Sequence, residues 1–176
     1  MDSGCRLIIP TEEYLDQIAD YRREFLDAGS SMDGTTSLKR IADPREWLED
    51  CRRYMDKSTV PEGMVQATQF IYVRLSDNRL TGMLQVRHYF NDYLEKYAGN
   101  IGYSVRPSER RKGYAKAMLR DCFPFCRSVG LKRILVCCLD DNVASRKTIL
   151  ANGGVFDGSV NEPSAGVKLE RYWIEL

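Results

Sequence analysis

The spacing of apolar positions changes several times along the chain, and each change marks a predicted element. Leu7 to Ile9 is a short apolar run that reads as a first strand. Tyr14, Leu15, Ile18, Phe25 and Leu26 then recur on one helical face behind Thr11, which can cap the helix, and Gly29 to Gly34 breaks it. Asp43-Pro44 supplies a cap followed by proline at the first helical position. The helix predicted after it carries Trp47, Leu48, Cys51, Tyr54 and Met55 on one side. The period then falls to two. Val65, Ala67, Ile71, Val73 and Leu75 share one face of a strand, Asp77-Asn78 turns the chain, and Leu80, Leu84, Val86, His88 and Phe90 share one face of the next. Asn91 to Ala98 is a polar connection.

In the second half, Ile101 to Val105 reads as a strand stopped by Arg106-Pro107. Tyr114 to about Cys126 reads as a helix burying Ala115, Met118, Leu119, Cys122 and Cys126, which Pro124 should kink or finish early. Ile134 to Leu139 is a continuous apolar strand of the kind covered on both faces. Asn142 to Asn152 is a short helix closed by Gly153-Gly154. Val155-Phe156 and Val167 to Leu176 supply the last strands, joined through Pro163 and Gly166. Two helices, an antiparallel ribbon, then strand–helix–strand–helix–strand–strand is the order of an α/β domain with a mixed sheet. No repeat, low-complexity tract or linker divides the 176 residues, so a single domain over 1–176 is expected.

Composition narrows the class. Hydrophobic residues are 43% and charged residues 29%, ordinary for a globular protein, and no apolar run approaches the ~20 residues of a membrane span. Met1 to Pro10 is too short and polar for a secretory signal, so a cytoplasmic protein is expected, with no membrane partner. Lysine and arginine number 26 against 25 acids, and that balance excludes a strongly basic nucleic-acid binder. Six cysteines read as reduced small hydrophobes: Cys5; Cys51; Cys122 and Cys126, which share one helical stripe; and Cys137 and Cys138, on opposite faces of a strand. There is no C-x-x-C and His88 is the only histidine, so no metal is expected.

One segment concentrates charge. Arg106 to Lys116 (RPSERRKGYAK) holds five basic residues and one acid, Glu109, between a strand and a helix start. Gly113 permits a tight turn and close approach of a ligand, while the free N–H groups and dipole of the helix start favour an anion. These residues suit a phosphate or pyrophosphate; the plainer reading is a solvated basic turn. Neither the P-loop pattern nor G-x-G-x-x-G occurs.

A strand ending in Val105-Arg106-Pro107, then Arg110-x-x-Gly113-x-Ala115 opening a helix, resembles the acetyl-CoA motif of the GNAT acetyltransferase superfamily, Q/R-x-x-G-x-G/A. Asn142-x-x-Ser145 on the next helix resembles its second motif, and the match runs from Ile101 to Phe156. Arg87 to Leu94 and Ile101 to Lys116 also look like one bacterial branch of predicted acetyltransferases. The resemblance implies a GNAT-like mixed, mostly antiparallel sheet of about seven strands with about four helices, splayed between the fourth and fifth strands. It implies an N-acetyltransferase that moves an acetyl group from acetyl-CoA, a co-substrate, to an amine of a small molecule or peptide by direct attack. Homodimers are common in the superfamily.

The resemblance also implies roles. Backbone groups of Tyr103, Ser104 and Val105 would lie along the thioester and pantetheine. Arg110 opens the motif, and the N–H groups of Arg111, Lys112, Gly113, Tyr114 and Ala115 would hold the pyrophosphate. Asn142 and Ser145 would meet the cofactor from the other side; on their own they read equally as a helix cap and an exposed helical serine.

An alkyl ammonium has a pKa near ~10.4, so keeping it neutral at pH 7 costs about 4.6 kcal/mol, and a base is expected. His88, Glu95 and Asp92 are the candidates, each with a plainer alternative: a partly buried strand histidine and solvated connector charges. The departing thiolate needs a proton. The tyrosine that many relatives use for this falls at Ile149 here, which leaves Ser145, Tyr103 or a water. That departure motivates an alternative function, a non-catalytic sensor of CoA or acetyl-CoA. Glu12, Glu13, Asp16, Asp20, Glu24, Asp27, Asp43, Glu46, Glu49 and Asp50 on the first helices form either an acidic wall for a cationic amine or a solvated face.

Overall fold

The computed structural model describes residues 4–176; the first three residues of the Met1–Pro10 segment lie outside the described residues. In chain order the elements are β1 (Cys5–Ile8), α1 (Leu15–Asp27), α2 (Pro44–Met55), β2 (Ala67–Arg74), β3 (Arg79–Arg87), β4 (Ile101–Val105), α3 (Tyr114–Asp121), α4 (Phe123–Ser128), β5 (Arg133–Leu139), α5 (Val143–Leu150), β6 (Val155–Glu162) and β7 (Val167–Glu175). The strands form one seven-stranded sheet in the order β1-β2-β3-β4-β5-β7-β6. Every neighbouring pair is antiparallel except β4 with β5. This is the mixed sheet expected from the sequence.

Each face of the sheet buries one helical layer. Ile71, Val73, Leu80 and Met83 pack against Ile18, Tyr21 and Phe25 of α1 and Trp47 of α2. Tyr72, Leu84, Val86, Ile134 and Val136 pack on the other face against Met118 and Leu119 of α3 and Ile149 of α5. Two of the predicted caps form: the Asp43 carboxylate accepts from Arg45 N at 2.8 Å ahead of Pro44, and Asn142 Oδ1 accepts from Ser145 N at 3.0 Å; the Thr11 hydroxyl caps nothing, because a short 3-10 turn separates it from α1.

Pro124 breaks its helix as expected, while the face assigned to Leu80 is corrected. The helix expected from Tyr114 to Cys126 is broken at Cys122, which brings the described residues to five α-helices where about four were expected. Pro124, in the first turn of α4, has no N–H to continue the ladder of α3. Leu80 does not share a face with Leu84 and Val86. Tyr72 pairs with Gly82 but Val73 pairs with Leu80, leaving Thr81 as a bulge whose hydroxyl donates to Tyr72 O at 3.0 Å. One inserted residue reverses the parity of everything before it, so Leu80 packs under α1 and α2.

The feature that positions the site is the parting of β4 from β5. Their only register pair is Ile101 with Val136. Arg87 N donates to Asn100 O and Arg106 N to Thr81 O, so even-numbered residues of β4 turn their backbone groups to β3. The N–H and C=O of Tyr103 and the N–H of Val105 therefore face a gap.

The loop after α1 lies across β4. Ser104 Oγ donates to Asp33 O at 2.6 Å, and Gln69 Nε2 donates to Gly34 O at 2.8 Å. Gly34 has a φ of +67°, and a Cβ placed there would lie 2.2 Å from Gly102 O. Gly29, with φ +58°, has nothing within 4 Å of such a Cβ. Both positions carry the left-handed strain, but only Gly34 adds a backbone collision. Gly34→Ala should lower stability by on the order of 3 kcal/mol and Gly29→Ala by about 1 kcal/mol, read as urea midpoints at constant slope.

Candidate active site

The gap between β4 and β5 opens into a cleft of about 960 Å³ that passes from one face of the sheet to the other. Tyr103, Ser104, Val105, Arg110, Arg111, Gly113, Tyr114, Ala115, Asn142 and Ser145 all line it. Lys112 does not; its ammonium turns away to Glu109 at 2.8 Å.

At one end of the cleft the chain leaves β4 and enters α3. Arg111 and Gly113 both take positive φ, 63° and 83°. The N–H groups of Arg111, Lys112 and Gly113 make no backbone hydrogen bond, and those of the first turn of α3 have no partner within the helix. Left-handed residues in such a turn gather successive N–H groups into a concave cradle that accepts an anion. The backbone supplies this capacity more than the side chains do. Arg106 is buried and bound to Glu24 at 2.7 Å and to Leu80 O. Arg110 folds back on Val105 O and Ser30 Oγ, over the ring of Phe25. Arg110, Arg111 and Lys116 are exposed and have no ion-pair partner among the described residues, and Arg110 is turned back as just described.

Glu109 anchors the turn from beneath. Its buried carboxylate receives Arg74 at 2.8 Å, Arg79 at 3.0 Å and Lys112 at 2.8 Å. Burial alone would raise its pKa, but the hydrogen bonds from Arg74, Lys112 and Arg79 outweigh it and hold the carboxyl at about 2.

Midway along the cleft, Tyr103 Oη lies 2.8 Å from Ser145 Oγ. Asn142 fixes the first turn of α5 and so sets Ser145 in place. Burial pushes the Tyr103 phenol well above its ordinary range, the hydrogen bond from Ser145 opposing it weakly, so the phenol holds its proton at neutral pH. Ile149 is fully buried in the core beneath Gly154 and presents no polar atom.

The remaining candidates sit elsewhere. His88 Nε2 pairs with Thr68 Oγ1 at 2.9 Å and its ring packs edge-on against Phe125; burial lowers its pKa. It does not line the cleft, and neither does Glu95 or Asp92 on the connector. The acidic residues of α1 and α2 form no wall of the cleft either. Glu12 and Glu49 meet Arg52, Asp20 meets Arg23 and Glu24 meets Arg106.

Two residues that the sequence reading passed over do line it. Asp33 and Arg87 stand on the sheet face opposite Tyr103, beside Gly102 and Cys137. Asp33 lay in a stretch read only as a helix breaker. Arg87 carried a signal, a charge at a strand position alternating with the apolar face of Leu84 and Val86.

A model of the acetyltransferase (GNAT) family matches residues 33–153, a span that begins at Asp33 and ends just past α5. The chain belongs to the GNAT acetyltransferase family. Enzymes of this family take their acetyl group from acetyl-CoA, and the cleft suits that donor. It has a cradle for phosphates at one end and unpaired strand edges further in.

This GNAT acetyltransferase shares its fold with the microcin C7 self-immunity acetyltransferase MccE, solved with acetyl-CoA and AMP (TM-score 0.73, 17% identity, covering 98% of this chain and 92% of that one). It is equally similar to the ribosomal-protein-S5-alanine acetyltransferase of Vibrio fischeri (TM-score 0.73, 16% identity, 98% and 93% covered). The same holds for Mycobacterium smegmatis RimJ in complex with CoA-disulfide (TM-score 0.73, 17% identity, 97% and 81% covered). At these identities the likeness is one of fold. Comparison with curated protein sequences finds no match. Among the described residues no group of three or more His, Cys, Asp or Glu side chains could hold a metal ion, and no helix is long and apolar enough to cross a membrane.

Because the Glu109 pKa is lower in the folded chain than the ~4.3 of an unfolded one, its contribution to stability is full above about pH 4.5 and is lost as pH falls toward about 2. Glu109→Gln leaves three cations facing one another; it should cost roughly 2–3 kcal/mol at pH 7 and flatten the loss of stability between pH 4.5 and 2.5, measured by urea unfolding across that range.

Proposed function

We propose that this GNAT acetyltransferase acetylates an amine of a small molecule or peptide, with Tyr103 as the proton donor to the departing thiolate and Asp33 as the base that takes the amine's proton. The Tyr103–Ser145 hydroxyl pair at the open edge of β4 carries this reading. It supplies, from a strand, the phenol that Ile149 does not supply from the helix. Acetyl-CoA brings an activated acetyl thioester, and the protein need form no covalent bond with it.

The cradle from Arg111 to Ala115 holds the pyrophosphate. The free N–H and C=O of Tyr103 and the N–H of Val105 bond the donor's amide-bearing arm as they would a neighbouring strand. Ser145 and Asn142 flank the arm from α5. The phenol of Tyr103 is kept protonated by burial and so enters the reaction as an acid, with Ser145 Oγ fixing its direction. Asp33 is the one acidic residue of the cleft lining besides Glu109, and Glu109 is fully engaged by Arg74, Arg79 and Lys112. Its carboxylate accepts from Ser31 Oγ at 2.9 Å and keeps a free oxygen to draw the proton, directly or through a water. His88 and Glu95 take no part, since neither reaches the cleft.

The acceptor enters from the α1 face, where Asp33 stands, and the donor from the α3 face. An amine of peptide or small-molecule origin agrees with the S5-alanine acetyltransferase that shares the fold. The six free thiols agree with a reducing, cytoplasmic setting.

CoA or acetyl-CoA at about 100 times its Kd should raise the melting temperature by ~2–4 °C, and no shift with either would refute the donor site. Tyr103→Phe should lower kcat ~10²-fold with little change in KM for acetyl-CoA, and Asp33→Asn should lower kcat/KM by a similar factor in a thiol-release assay. Tight CoA binding without transfer to any amine would instead favour the CoA-sensing module that Ile149 suggests.

A further inference from the structure

Arg87 ends β3, and its side chain crosses under β4. A Cβ built on Gly102 would lie 3.2 Å from Arg87 Nη2, so the guanidinium occupies space that the glycine leaves open. Nη1 donates to the carbonyls of Ala98 and Gly99, 3.3 Å each, which holds the head group by one nitrogen. Nε and Nη2 have no acceptor. Every fully buried side-chain nitrogen or oxygen among the described residues has a partner, so these two donors open on the cleft that Arg87 lines.

No carboxylate lies within 4.0 Å of this guanidinium among the described residues. Several other enclosed arginines are treated differently: Arg74 meets Asp77 and Glu109, Arg106 meets Glu24, Arg146 meets Glu170 and Arg171 meets Asp157. Burial disfavours the charge of Arg87; Cys137, Asp33 and Tyr93 oppose this through space, but none of them bonds the guanidinium. A planar fork with two adjacent N–H donors, held at its back and open at its front, matches a carboxylate bidentately.

Its place along the cleft says which ligand would supply that carboxylate. The phosphate cradle lies beyond the far end of β4, whereas Arg87 sits under Gly102, on the face opposite Tyr103 and on the same side as Asp33. We infer that Arg87 anchors a carboxylate of the acceptor, so that the substrate is an amine bearing its own carboxylate, with Arg87 and Asp33 reading its two ends. This rests on the acetyl-transfer reading above, but the binding of a carboxylate at Arg87 can be measured without catalysis.

Calorimetric titration of the CoA-loaded protein tests it with reaction products as probes. N-acetylated amino acids with a free α-carboxylate form one arm. N-acetyl peptides with an amidated end and an internal aspartate or glutamate form a second. The corresponding fully amidated neutral compounds are the control. One carboxylate arm should bind ~10–100-fold more tightly than the control, and which arm does so tells a free amino acid from an acidic peptide amino terminus. Arg87→Gln should remove the preference, and Arg87→Lys should restore only part of it, since an ammonium cannot pair bidentately. Far-UV circular dichroism and retained CoA binding would show that both variants fold. Equal binding of charged and neutral probes, or an undiminished preference in Arg87→Gln, would overturn the assignment. Carboxylate binding through Arg87 in a protein that never consumes acetyl-CoA would uphold the site and sink the acetyl-transfer reading instead.

Discussion

Asn100 is the junction on which the rest of the site depends. It is almost fully buried, at 1% exposure, and it bonds to both neighbours at once. Its carbonyl accepts from Arg87 N at 2.8 Å and its side-chain amide returns to Arg87 O at 3.1 Å. Its own N–H reaches Leu135 O at 2.8 Å, and Leu135 N reaches its Oδ1 at 2.9 Å. One asparagine therefore ties β3 to β5 at the residue before β4 begins. Gly99 permits the close approach, since a Cβ there would lie 2.3 Å from Leu135 O. Beyond this stitch β4 and β5 diverge. The cost of unpaired backbone groups at Tyr103 and Val105 is tolerable because the cleft leaves them accessible.

Everything chemical is arranged around that divergence. The sheet continues through it, so side chains of β4 alternate between two helical layers, with Tyr103 toward α5 and Gly102 and Ser104 toward the loop after α1. Two reactants can then meet through the plane of the sheet rather than on one surface. The basic turn at the end of β4 is held by an internal acid, Glu109, so that the exposed part of the turn is mainly backbone. Its net charge matters less than the direction of its N–H groups.

Much of this was readable from residues alone. The alternation from Val65 to Val73 and from Leu84 to His88, the caps Asp43 and Asn142, and Arg110-x-x-Gly113-x-Ala115 carry local signals that tertiary packing did not override. What failed to show was set by contacts distant in sequence. The bulge at Thr81 moves Leu80 to the other face through a one-residue mismatch with β2, which no periodicity within β3 reveals. Asp33 reaches the cleft only because Gly34 lies on Gly102. The fate of the five basic residues depended on Glu24, Arg74 and Arg79, which lie outside the segment. His88 was attractive as a titratable group, but its parity already placed it with Leu84 and Val86, and it packs on that face.

The stitch at Asn100 has one more consequence. It closes the slot at a fixed point, while the phosphate cradle fixes the other end. The distance between them is set by the length of β4, about 3.3 Å per residue, and not by any flexible loop. The protein thus holds a molecular gauge. The room between the two ends is in this way written into strand geometry and not left to a mobile segment.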